Sequence, residues 1–157
     1  MNASVTQAPA PTDQVFDPNR TNTDYFWYAT DVAGISSAAP NATTLINLDA
    51  DSYFYAVALT FMANIAGAAY TESAVPQPLV KVLITDTANG KALSSAGLLI
   101  PAFMGDGKRP YRFVKPRVFK PNGTIQFSYD GSLLAAGTTY GIEIIVHGFK
   151  RYIQGAG

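Results

Sequence analysis

At 157 residues the chain is long enough for one domain with a core of its own, and with no cysteine it has neither disulfides nor thiolate metal sites. Charged residues make up only 14% and hydrophobic ones 48%, so the surface is one that expects to be covered by other protein. The formal net charge of zero and the pI near 6.5 argue against a nucleic-acid binder.

That neutrality conceals an asymmetry. Residues 1–80 hold seven acidic residues and one basic residue, a balance of −6, whereas residues 81–157 hold ten basic and four acidic residues, a balance of +6. If the two halves occupy different faces, copies of the molecule attract one another or steer onto a complementary surface.

In chain order, residues 1–23 read as an extended N-terminal arm. Pro9, Pro11 and Pro18 lie among Ala, Thr, Asn and Asp, and such a segment cannot bury enough apolar surface to fold alone. Val15 and Phe16 form an isolated apolar pair that would anchor the arm on a neighbouring subunit. The opening MNASVTQAPAPTDQ has neither a basic n-region nor an apolar h-region, so no secretory leader is expected. No stretch has the apolar length of a transmembrane helix, and no membrane partner is expected.

Residues 24–157 read as a single β domain. Strands are predicted at DYFWYAT (24–30), TTLINL (43–48), YFYAVALTFM (53–62) and LVKVLIT (79–85). The third is apolar on both alternating faces, with Tyr53, Tyr55, Val57, Leu59 and Phe61 on one and Phe54, Ala56, Ala58, Thr60 and Met62 on the other. Both faces are therefore expected to be covered. Residues 91–107 suggest a loop or an irregular edge. Residues 112–119 suggest an edge strand, because Pro116 cannot donate to a ladder. TIQFSY (124–129) points Ile125, Phe127 and Tyr129 to one side. TYGIEIIVHGF (139–149) points Tyr140, Ile142, Ile144 and Val146 inward. Seven or eight strands with turn signals between them, and no helical period, predict an all-β fold: an antiparallel β-sandwich or jelly roll.

Little points to a reaction. The single histidine, His147, has Glu143 on its strand face about 13 Å away, too far to orient the ring for base catalysis. Asp49-Ala50-Asp51 lacks the further ligands of a calcium loop and reads as a turn. Gly105-Asp106-Gly107 has no phosphate-loop context and also reads as a turn. No enzymatic activity, cofactor or metal is expected.

The most distinctive segment is KRPYRFVKPRVFK (108–120), with six basic residues, three aromatic rings and two prolines. Strand geometry divides its charges between two faces, so no continuous basic stripe results. Beside nucleic-acid binding, which the zero net charge disfavours, two uses are preferred for Arg109, Arg112, Lys115, Arg117 and Lys120. They keep a solvated edge from stray pairing, or they meet the carboxylates of a neighbour. Together with Val15 and Phe16 they are the candidate interface residues.

The arm, the cysteine-free β-sandwich, the RPYRFVKPRVFKPNGTIQFSY run and the ending YGIEIIVHGFKRY resemble the small capsid decoration (cement) proteins of tailed bacteriophages. The resemblance spans residues 24–152 and implies a jelly-roll subunit without catalytic residues. It further implies a homo-oligomer, such as a trimer, bound to a major capsid protein on the outside of the phage head after synthesis in the host cytoplasm. Another virion module (head fibre, vertex or tail protein) and a carbohydrate-binding sandwich with Trp27 or several Tyr exposed are the alternatives.

Overall fold

The computed structural model describes residues 23–65, 76–106 and 108–153. The arm assigned to residues 1–23, with Val15 and Phe16, lies outside the described residues apart from Thr23. The described residues form nine strands and one helical turn: β1 (Thr23–Ser36), β2 (Asn41–Asn47), β3 (Ser52–Ile65), β4 (Lys81–Asp86), β5 (Lys91–Ala92), β6 (Leu98–Leu99), α1 (Ile100–Phe103), β7 (Tyr111–Phe119), β8 (Thr124–Asp130) and β9 (Thr139–Tyr152).

The strands make two sheets, ordered β1-β9-β3-β7 and β2-β8-β4-β5, with β6 also pairing β4. Every pairing between these strands is antiparallel. The pairing is nested: β1 with β9, β2 with β8, β3 with β7, and β4 with the short β5 and β6. The chain therefore behaves as one long two-stranded ribbon rolled so that successive segments alternate between sheets.

The inner faces of the two sheets meet in one core. Phe54, Phe61, Ile142, Ile144 and Val146 from the four-stranded sheet pack against Val82, Ile84, Ile125, Phe127 and Tyr129 from the other. Alternation in the sequence drives this arrangement. In β4 and β8 every second residue is buried, and each buried one is apolar except Asp86. Asp86 is satisfied locally, since its carboxylate accepts the Ala88 N–H (3.1 Å) and the Asn89 side-chain amide (2.6 Å) of the following turn. Turns fall where their residues predict. Asn122 takes φ 56° in the Pro121-Asn122-Gly123 turn, a left-handed conformation that asparagine tolerates better than most residues.

β3 corrects the expected faces. Ala56 pairs with Gly148 and Ala58 with His147, so Val57 is an extra residue on β3, a β-bulge. The bulge reverses the alternation. Phe54 and Ala56 point inward before it; Leu59, Phe61 and Ala63 point inward after it. Tyr53 and Tyr55 thus lie on the outer face, not on the face of Leu59 and Phe61. Within the segment 91–107, the described residues 91–106 are irregular as expected, with two two-residue strands and the single turn of α1.

One end of the sandwich is closed by a polar cluster that the sequence did not signal. Lys150 lies on the inward side of β9 and is 5% exposed. Its ammonium forms an ion pair with Asp49 and sits 3.2 Å from the centroid of the Phe26 ring. The Tyr28 hydroxyl donates to the same carboxylate (3.1 Å). Burial pushes the Tyr28 hydroxyl pKa up to about 12, so it remains a donor. The Lys150 hydrogen bond holds the Asp49 carboxyl below its ordinary value of 3.8; burial opposes this and the Tyr28 hydroxyl adds to it.

A group with a lowered folded-state pKa stabilises the fold above its unfolded pKa, and that contribution disappears as pH falls through the folded value. Thermal melts from pH 6 down to pH 2 are therefore expected to show an acid-side loss that Asp49→Asn reduces. At pH 7 Asp49→Asn is expected to cost about 1–3 kcal/mol, since it strands a buried ammonium. Lys150→Met is expected to cost less, because the carboxylate it leaves is half-exposed and still hydrated.

Candidate functional site

The outer face of the four-stranded sheet carries an aromatic patch. The register lines up Tyr25, Phe149, Tyr55 and Val118 in one row across all four strands. Phe149 and Tyr55 stack at 4.9 Å with their rings nearly parallel. The next row runs Trp27, His147, Ala58, Arg112. Tyr25 is 85% exposed and Trp27 61% exposed. The aromatic run of β1 is thus split by the pleat. Phe26 and Tyr28 turn to the core, while Tyr25 and Trp27 face out. Sequence alone could not make this division, because all four positions are aromatic and no polar residue marks the solvent side.

β7 forms one rim of this face. It pairs with β3 at Arg117–Phe119 and again at Tyr111–Arg112, so the intervening Phe113–Pro116 opposes the single residue Val57. The strand bows outward there, at the proline that removes a ladder donor. Val114 is 99% exposed at the crest, next to exposed Lys115 and Pro116.

The predicted cationic residues are only partly brought together. Arg112, Lys115 and Arg117 share this rim, with Arg117 half-buried. Arg109 lies before the strand in the Asp106 turn and Lys120 after it, both exposed. Arg109 and Lys108 donate their backbone N–H groups to the Asp106 carboxylate (2.7 and 2.9 Å), so those amides are not turned toward an outside anion. β1 is the opposite rim. It carries Asp24 and Asp31 and no basic residue, whereas β7 carries three cations and no acid.

His147 shares a hydrogen bond with Thr60 (2.8 Å), and burial lowers its pKa. Asp130 accepts the Ser132 N–H (2.9 Å) and is held below its ordinary value chiefly by Ser132 hydrogen bonds. Among the described residues no group of three His, Asp or Glu is placed to hold a metal ion. A cavity of about 80 Å³ opens beneath the bowed β7, lined mainly by Leu59, Val82, Ile84, Leu98, Phe103 and Phe113. Apart from Ser94 and Tyr111 its walls are apolar, and they offer no acid–base pair.

The surface that stands out is therefore an aromatic patch between two oppositely charged rims. Comparison with protein-family models, curated proteins and solved structures returns no significant match. The site rests on geometry alone. Sequence reasoning located the basic segment and named Trp27, as a sugar-stacking residue of the carbohydrate-binding alternative. It missed the part of Phe149 and Tyr55, which only strand order places beside Tyr25.

Proposed function

We propose that the chain is a structural virion protein, a capsid decoration or cement subunit that reinforces a phage head through protein–protein contacts. The observation that carries this reading is the exposed aromatic face, with Tyr25 and Trp27 at its open side and charged rims around it. A low-charge face of this kind suits a partner surface, since aromatic residues dominate interface cores and charges occupy their rims. The nested strand pairing, read as a jelly roll, supports the reading as well. Each bound copy adds buried interface between capsid subunits, and many copies on one shell multiply the effect. A head-fibre, vertex or tail role would use the same face.

A second reading has a specific observation in its favour. Trp27 and Tyr25 stand exposed on one face, as a carbohydrate-binding sandwich requires for stacking on sugar rings.

One experiment separates the two. Purified protein is cosedimented with heads of the phage that encodes it and titrated calorimetrically with soluble glycans. Binding to heads and not to glycans is expected; glycan binding without head binding would reject the cement reading. Trp27→Ala is expected to weaken head binding at least tenfold while lowering stability by less than about 1 kcal/mol, since an exposed side chain leaves no cavity.

A further inference from the structure

The two outer strands of the four-stranded sheet are complementary to each other. β1 and β7 end the order β1-β9-β3-β7, and among the described residues neither has a strand on its outer side. The β1 rim presents Asp24, Tyr25, Trp27 and Asp31, all exposed. The β7 rim presents Arg112, Val114, Lys115 and Pro116, also all exposed. Each rim combines two exposed apolar residues with exposed charges of a single sign, and the two signs are opposite. We infer that the β7 rim of one copy docks on the β1 rim of a second copy, head to tail.

Three physical features favour a second copy as the occupant. Cations on β7 meet carboxylates on β1, which fixes orientation and disfavours β7-to-β7 or β1-to-β1 contacts. Val114 and Pro116, carried outward by the bow in β7, supply the apolar crest that Tyr25 and Trp27 can receive. A guanidinium such as that of Arg112 also lies favourably over an indole or phenol ring. The bow, with Pro116 inside it, prevents continuous main-chain pairing. The contact is therefore made by side chains and does not extend the sheet without limit. Because the two surfaces differ, the contact is heterologous. It closes into a ring when the rotation between copies permits.

This inference rests on the homo-oligomer that the resemblance to capsid decoration proteins implies and not on the identity of the shell. Charge reversal tests it, read by sedimentation velocity at low and at molar salt. Wild-type protein is expected to associate at low salt and to dissociate near 1 M, where the screening length is about 3 Å. Arg112→Glu with Lys115→Glu, and separately Asp24→Lys with Asp31→Lys, are each expected to weaken association at least tenfold. An equimolar mixture of the two reversed proteins is expected to associate again, since each then offers the rim the other lacks. Circular dichroism shows whether each reversed protein is folded. If one is not, the neutral Arg112→Gln, Lys115→Gln protein takes its place and should lose the salt dependence. A wild-type monomer at low salt, association that survives reversal, or a mixture no better than its components would each overturn the inference. Should that happen while the chain still sediments with heads, the cement reading stands and only the head-to-tail contact falls.

Discussion

Phe54→Ala is expected to destabilise the protein by about 3–5 kcal/mol, and Tyr53→Ala, one residue earlier, by less than about 1 kcal/mol. The contrast follows from the pleat. Phe54 is 1% exposed and lies between Tyr28, whose ring meets it edge-on at 4.8 Å, and Phe119 at 6.4 Å. Removing it opens a cavity where β1, β3 and β7 converge, and the rigid strands around it cannot collapse to fill the space. Tyr53 faces outward and is 37% exposed, so its loss leaves no void. A loss of the predicted size is a large fraction of the 5–15 kcal/mol that holds a typical domain together, so Phe54→Ala should melt far earlier or fail to fold. Urea titration of both variants measures the difference. A larger loss from Tyr53→Ala than from Phe54→Ala would show that the β3 faces are assigned the wrong way round.

Gly148→Ala is expected to be comparably damaging, by about 3 kcal/mol or more, although it adds one methyl group. Gly148 pairs with Ala56 immediately before the Val57 bulge, in the middle of the four-stranded sheet. A Cβ there would fall inside the van der Waals shell of the Tyr55 carbonyl oxygen and within 2.7 and 2.8 Å of Phe54 ring atoms. The carbonyl belongs to the paired backbone and the ring to the packed core, so neither yields cheaply. Gly90→Ala serves as a comparison. Gly90 has φ +62° in a surface turn with open space where the Cβ would go, so only backbone strain of about 1 kcal/mol is expected. Denaturant midpoints of the two variants should differ widely. A tolerated Gly148→Ala would mean that β3 and β9 do not approach each other this closely.

These two positions also mark where the sequence is readable and where it is not. Alternation in LVKVLIT, TIQFSY and the Ile142–Val146 stretch of β9 reveals both the strand and its buried side, because polar and apolar residues take turns. In YFYAVALTFM both phases are apolar, so a one-residue bulge changes every inward residue without leaving a trace in the pattern. Pro116 marks β7 as an edge from sequence alone, yet how far the strand bows depends on its pairing with β3. The Lys150 site was illegible for another reason. A lysine near a strand end ordinarily points to water, and its burial depends on Asp49 and Phe26, both remote in the chain. The candidate face has the same character. Tyr25 and Trp27 could be named from composition, whereas their alignment with Phe149 and Tyr55 requires the strand order β1-β9-β3.

The proposed function makes its most direct claim about shells, and the temperature at which a phage head ruptures measures it. Heads stripped of this protein and then reloaded with it should bind a saturating number of copies and rupture at a higher temperature than stripped heads, with Trp27→Ala restoring less. Stripped and reloaded heads that rupture together, with no protein retained on the reloaded ones, would contradict the account.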